Sequence, residues 1–128
     1  MHLNLLCLSI GCGTGLNFAV KHPADRIILA APFTSLRDMA RRTVGWPLCW
    51  LLMHNYDNRA RLADLSARGH PPRIDIFHGD DDQTVPISMG RELASKYPAM
   101  STFHAVPGAG HNTVLANARS EIFALMRD

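Results

Sequence analysis

The sequence lacks a dominant charge, a membrane-length apolar run and a paired set of cysteines, and each shortage removes a class of function. Thirteen basic against eleven acidic residues leave a formal charge of +2. The two signs are interleaved, so no concentrated field draws in nucleic acid or an anionic membrane. The densest basic group, Arg37, Arg41 and Arg42, falls on one helical stretch without interleaved aromatics and reads as a solvated face. No apolar stretch approaches the roughly 20 residues that a membrane span needs. Cys7, Cys12 and Cys49 are odd in number and form neither a CxxC pair nor a metal clip, which points to a reducing compartment and a cytoplasmic protein. The first ten residues are apolar but have no basic leader and no small-residue cleavage site. They run straight into glycines, as a buried strand does and a signal peptide does not.

What is present is enough for one core: 47% hydrophobic and 19% charged residues over 128 positions describe a single globular α/β domain, residues 1–128. Four short apolar runs at 3–10, 26–31, 73–78 and 101–106 alternate with helical patterns at 15–21, 87–97 and 112–126. That alternation predicts a parallel sheet of about four strands with helices on both faces. Residues 33–72 interrupt the rhythm, being longer than a crossover needs and holding the apolar stretch Trp46-Pro47-Leu48-Cys49-Trp50-Leu51-Leu52-Met53. This reads as a small helical cap-like insertion. Phe33, Trp46 and Trp50 are its candidates for walling a substrate pocket, against the plainer role of packing for the two tryptophans at i, i+4.

Chemistry concentrates at three turns. After the first strand the chain reads Ile10-Gly11-Cys12-Gly13-Thr14-Gly15-Leu16, which has two readings. In one it is a nucleotide-type loop, with glycines admitting a ligand to the N–H groups of a helix N-terminus. GCGTG resembles the first motif of S-adenosylmethionine-dependent methyltransferases, but the next strand ends in Ala30-Ala31-Pro32, without the carboxylate that would hold the ribose. In the other it is a G-x-S-x-G nucleophile elbow with Gly11 and Gly15 as flanking glycines and Gly13 in the nucleophile slot. Downstream, Gly79-Asp80-Asp81-Asp82-Gln83-Thr84-Val85-Pro86 follows the third strand and Pro107-Gly108-Ala109-Gly110-His111-Asn112 the fourth. Asp80 and Asp81 read as turn-forming, and His54, His70, His78 and His104 as structural or surface histidines.

These stretches are similar to the G-x-x-D-x-x-V-P acid loop and the G-x-G-H histidine loop of the α/β-hydrolase family, in the order slot, acid, histidine. Ala30-Ala31-Pro32-Phe33-Thr34-Ser35 resembles the stretch after the elbow helix in serine aminopeptidase-like and esterase-like members. The resemblance implies a truncated α/β-hydrolase fold, with the family's N-terminal strands missing and no cofactor or metal. Asp82 would orient His111, and the N–H of Thr14 would be one oxyanion donor. The implied activity is cleavage of esters, thioesters or small amides, impaired because Gly13 supplies no nucleophile and because Cys12 and Thr14 point away from an elbow's apex. The alternative is a catalytically silent domain that binds a small acyl or carbonyl ligand. A strand bounded by Leu3 and Ile10, central in the intact fold, would be an exposed apolar edge, predicting pairing with a second copy or with a complementing N-terminal half.

Overall fold

The computed structural model describes residues 2–43 and 57–127. Its centre is a parallel sheet in the order β1 (Asn4–Leu8), β2 (Arg26–Ala30), β3 (Arg73–Gly79) and β4 (Ser101–Val106). Leu6 stands opposite Ile28, Ile27 opposite Ile74, and Ile76 opposite Phe103. Parallel neighbours need crossovers, and helices supply them: α1 (Ile10–Lys21), α2 (Leu36–Thr43), α3 (Asn58–Ser66) and α4 (Ile87–Lys96), with α5 (Val114–Asn117) and α6 (Arg119–Arg127) closing the chain.

Every residue of β2 is buried, which requires cover on both faces. Strand alternation therefore splits the core in two. Ile27, Leu29, Ile74 and Ile76 pack with Leu16, Leu62, Leu65 and Leu93 on one face, and Ile28, Ala30 and Phe77 pack with Val114, Ala118 and Ile122 on the other. Each large aliphatic side chain so buried contributes about 1.5–3 kcal/mol. The sheet of four parallel strands with helices on both faces is the architecture expected from the alternating pattern.

Three boundaries differ from the sequence-based expectation. Helix α1 begins at Ile10 rather than at 15, because strand β1 ends at Leu8. The closing helix is broken at Ala118, whose φ of −99° and ψ of 8° leave the helical range. Residues 58–66, expected within the cap, form a helix of the sheet's own cover: Asp57 caps α3 by accepting the Ala60 N–H at 3.1 Å, and Leu62 and Leu65 are fully buried against α1. Residues 44–56 of the expected cap, with Trp46, Trp50 and His54, lie outside the described residues. No helix among the described residues is long and apolar enough to cross a membrane.

At one side of the sheet, β1 pairs only with β2 among the described residues. Leu6 and Leu8, two apart on one face, are 43% and 41% exposed.

Candidate active site

All three chemical turns sit at the C-terminal ends of strands, where an open α/β sheet gathers its functional groups. The sharpest is at Ser9, between β1 and α1, with φ 52° and ψ −117°. That conformation is rare for a residue with a side chain, and such strain clusters at functional positions. The Ser9 N–H is held by the Ala30 carbonyl at 2.9 Å and the Ser9 carbonyl by the Cys12 N–H at 3.0 Å, so β2 and the helix start fix the turn from both sides.

Ser9 Oγ lies 2.9 Å from His111 Nε2, and His111 Nδ1 lies 2.8 Å from Asp82 Oδ2. A carboxylate only accepts, so Nδ1 carries the proton and Nε2 is left to accept from the serine hydroxyl. The Asp82 side chain is fully buried, and that of His111 is 17% exposed. Asp82 Oδ1 accepts the N–H groups of Thr84 at 2.9 Å and Val85 at 2.8 Å, which seats the acid in its own loop. In that loop region Asp80 accepts the Gly108 N–H at 2.8 Å and Asp81 accepts from Gln83 at 3.1 Å; both carboxylates brace turns.

The structure thus brings together Asp82 and His111, but it corrects the position facing them. Gly13 is a buried residue inside α1, its carbonyl accepting from Asn17 Nδ2 at 2.8 Å, and the turn falls four positions earlier, at Ser9. Gly11 is the one glycine of the turn segment Cys7-Leu8-Ser9-Ile10-Gly11. Gly15 serves packing: a Cβ there would fall 2.1 Å from Cys7 Sγ. The two glycines that flank Gly13 point to the wrong turn; the signal for Ser9 is a serine directly after the apolar strand and two residues before Gly11.

Other expected site residues shift accordingly. Thr14 lies in the second turn of α1, where a helical N–H is directed to the carbonyl four residues back. The helix's open first donors are those of Ile10 and Gly11. Phe33 is 1% exposed, with its carbonyl taken by Asn58 Nδ2 at 2.7 Å, and cannot line a pocket. Cys12 is fully buried, and burial pushes its thiol far above the usual range, which leaves no reactive thiolate. The glycine-rich stretch forms helical turns rather than an open loop, and no acid stands directly after β2, where the chain reads Ala31-Pro32-Phe33. No nucleotide cradle exists there.

Cavity size does not mark the reactive groups. A hollow of about 610 Å³ lined by Pro71, Arg73, Tyr97 and Met100 opens at the opposite, N-terminal ends of the strands and contains no activated nucleophile. Past the C-terminal end of β2, Thr34, Asp38, Arg41, Arg59, Ser88, Met89 and Glu92 line a polar hollow of about 340 Å³. There Arg59 bridges Asp38 at 2.6 Å and Glu92 at 2.5 Å.

The parallel sheet with helices on both faces matches proteins of the α/β-hydrolase fold. The esterase domain of a Rhodothermus marinus protein superposes with a TM-score of 0.66 at 16% identity, covering 94% of this chain and 56% of that one. The meta-cleavage product hydrolase of Pseudomonas fluorescens superposes at 0.61 with 16% identity, covering 98% and 63%. In sequence, the chain is 32% identical over 105 residues to uncharacterized proteins of two Mycobacterium tuberculosis strains, covering 81% of this chain. It spans only 36% of those relatives' length. No family model matches the sequence.

Proposed function

We propose that the chain carries the nucleophile, base and acid of a serine-type acyl hydrolase acting on esters, thioesters or small amides. The observation that carries this reading is the continuous hydrogen-bonded line Ser9 Oγ, His111, Asp82, with a nucleophile conformation that strains the backbone. His111 Nε2 takes the hydroxyl proton as Ser9 Oγ bonds to the acyl carbon. Asp82 holds the imidazole's tautomer and stabilises the imidazolium, which then protonates the leaving group. A water molecule, deprotonated by the same nitrogen, releases the acyl group. The Ile10 N–H, directly after the nucleophile, supplies one oxyanion donor. Impairment through Gly13 drops out of this reading, because the serine at position 9 occupies the nucleophile's place. The esterase and hydrolase activities named for the structural neighbours support the same class.

The test is hydrolysis of a short-chain activated aryl ester by the purified chain. Ser9→Ala and His111→Ala are expected to lower kcat by roughly 10³-fold or more, and Gly13→Ser to give no gain. A parent chain no faster than His111→Ala, yet able to bind the ester, would replace this reading with the silent binding domain.

The reading extends to the sheet edge. In the 43% and 41% exposure of Leu6 and Leu8, with Ile10 61% exposed just beyond, lies support for pairing along β1 with a second copy or with a complementing N-terminal half. A complementing N-terminal half would also supply the second oxyanion donor, which in this fold comes from a loop on the far side of the nucleophile strand.

A further inference from the structure

One fully buried histidine takes no part in the chemistry above. His78, in β3, is 0% exposed, and its Nε2 lies 2.8 Å from the Val85 carbonyl and 3.4 Å from Asp82 Oδ2. A carbonyl only accepts, so Nε2 carries the hydrogen, and both nearby groups compete for it. The other ring nitrogen, Nδ1, is buried with no hydrogen-bond partner. It faces Gly90 of α4 so closely that a Cβ there would come within 2.5 Å, which leaves no room for a bridging water. An imidazole that leaves one nitrogen unpaired in the core costs more than an apolar ring of its size.

We propose that His78 is a positioning residue for Asp82: its Nε2–H, forked between the Val85 carbonyl and Asp82 Oδ2, ties the acid loop to β3 and fixes the direction in which Oδ2 meets His111. The proposal rests on the reading of Asp82 and His111 as catalytic acid and base. Its geometry is specific. Asp82 Oδ1 is held by two amides of its own loop, whereas among the described residues Oδ2 has His111 at 2.8 Å and His78 at 3.4 Å. Without His78, no described residue outside the loop except His111 itself restrains that oxygen. Burial lowers the pKa of the His78 ring, against the opposing pull of the Val85 carbonyl and Asp82, which keeps it a neutral donor that leaves the charge of Asp82 to His111.

The test compares His78→Phe, which fills the space without a donor, with His78→Gln, which restores an N–H near the same place. Two readouts are taken on the full chain: ester hydrolysis and the low-field proton resonance of the His111 Nδ1–H to Asp82 hydrogen bond. The Phe variant is expected to lose about tenfold in kcat with KM unchanged, with its low-field resonance broadened or shifted, and the Gln variant to recover both in part. Gly90→Ala, which presses the His78 ring from behind without removing it, is expected to perturb the same resonance, and it carries the test should His78→Phe fail to fold. A folded His78→Phe chain with wild-type kcat and an unchanged resonance would overturn the proposal. Hydrolysis that is absent from the parent, or that survives Ser9→Ala, would refute the hydrolase reading instead, and the resonance would still decide whether His78 holds Asp82.

Discussion

Ser9 stores strain that its neighbours must overcome. Its φ of 52° at a side-chain-bearing position costs on the order of 1–3 kcal/mol, and the bonds to Ala30 and from Cys12 hold it there. Ser9→Gly is therefore expected to abolish ester hydrolysis while leaving the chain as stable or up to about 2 kcal/mol more stable in urea unfolding, since glycine relieves the strain and the lost Ser9–His111 contact is partly exposed. A large loss of stability in Ser9→Gly would show that the turn is not strained. Asp82 and His111 were legible in the sequence because their loops are defined by local spacing, and a loop of a few residues dictates its own hydrogen bonds. Ser9 was not legible, because the glycine that commonly precedes such a serine by two positions is here Cys7. What permits that larger side chain is Gly15, one helical turn further on, whose missing Cβ makes room for the Cys7 sulfur. The glycine pattern was a record of this compensation rather than of the turn at Ser9.

The helices are tied together by charge as well as by the core. Arg59 of α3 joins Asp38 of α2 and Glu92 of α4. Its hydrogen bond holds the Glu92 carboxyl below its ordinary range; for Asp38, burial acts upward, but the Thr34 hydroxyl and Arg59 outweigh it and the net shift is also downward. A lowered acid contributes stability above its unfolded value, near 4, that is lost as pH falls through the folded value. His78 behaves differently: as a base with a lowered pKa, it binds a proton in the unfolded chain at about 6.5 and below, where the folded chain still resists. Thermal midpoints are thus expected to fall in two windows, from about pH 6.5 downward through His78 and again below about pH 4 through the acids. His78→Gln should flatten the first window and Arg59→Met the second. Because these side chains are partly exposed, each Arg59 pair is worth only about 0.2–1 kcal/mol; an unchanged acid window in Arg59→Met would show that other carboxylates set it. Neither Arg59 tie was visible in the sequence, since its partners lie 21 and 33 positions away and no short-range pattern connects them. The break at Ala118 escaped for the opposite reason: both flanking segments keep a helical period, and periodicity does not register a single residue's dihedrals.

At the scale of the whole molecule the order of strands was readable, because a parallel sheet demands apolar runs separated by crossovers and each run here is short and distinct. The interrupted stretch after β2 was harder. An amphipathic helix covering a sheet and one capping a site share one sequence signature, and only the burial of Leu62 and Leu65 assigns α3 to the sheet. The open side of β1 carries its own prediction. Leu6→Glu places a charge on the exposed face without touching the Ser9 line, and it is expected to shift sedimentation of the purified chain toward the monomer and to raise its solubility. Identical sedimentation for the two proteins at all concentrations would argue against self-pairing through that edge.

Ser9 and His111 stand 102 positions apart, yet share one hydrogen bond. Their contact closes a ring that runs from the first strand to the last loop, and closing so long a ring is expected to come after the strands between have been laid side by side. A reagent that acylates only an activated serine would therefore act as a clock, labelling refolding molecules when the last strand arrives and sparing every species that is merely compact.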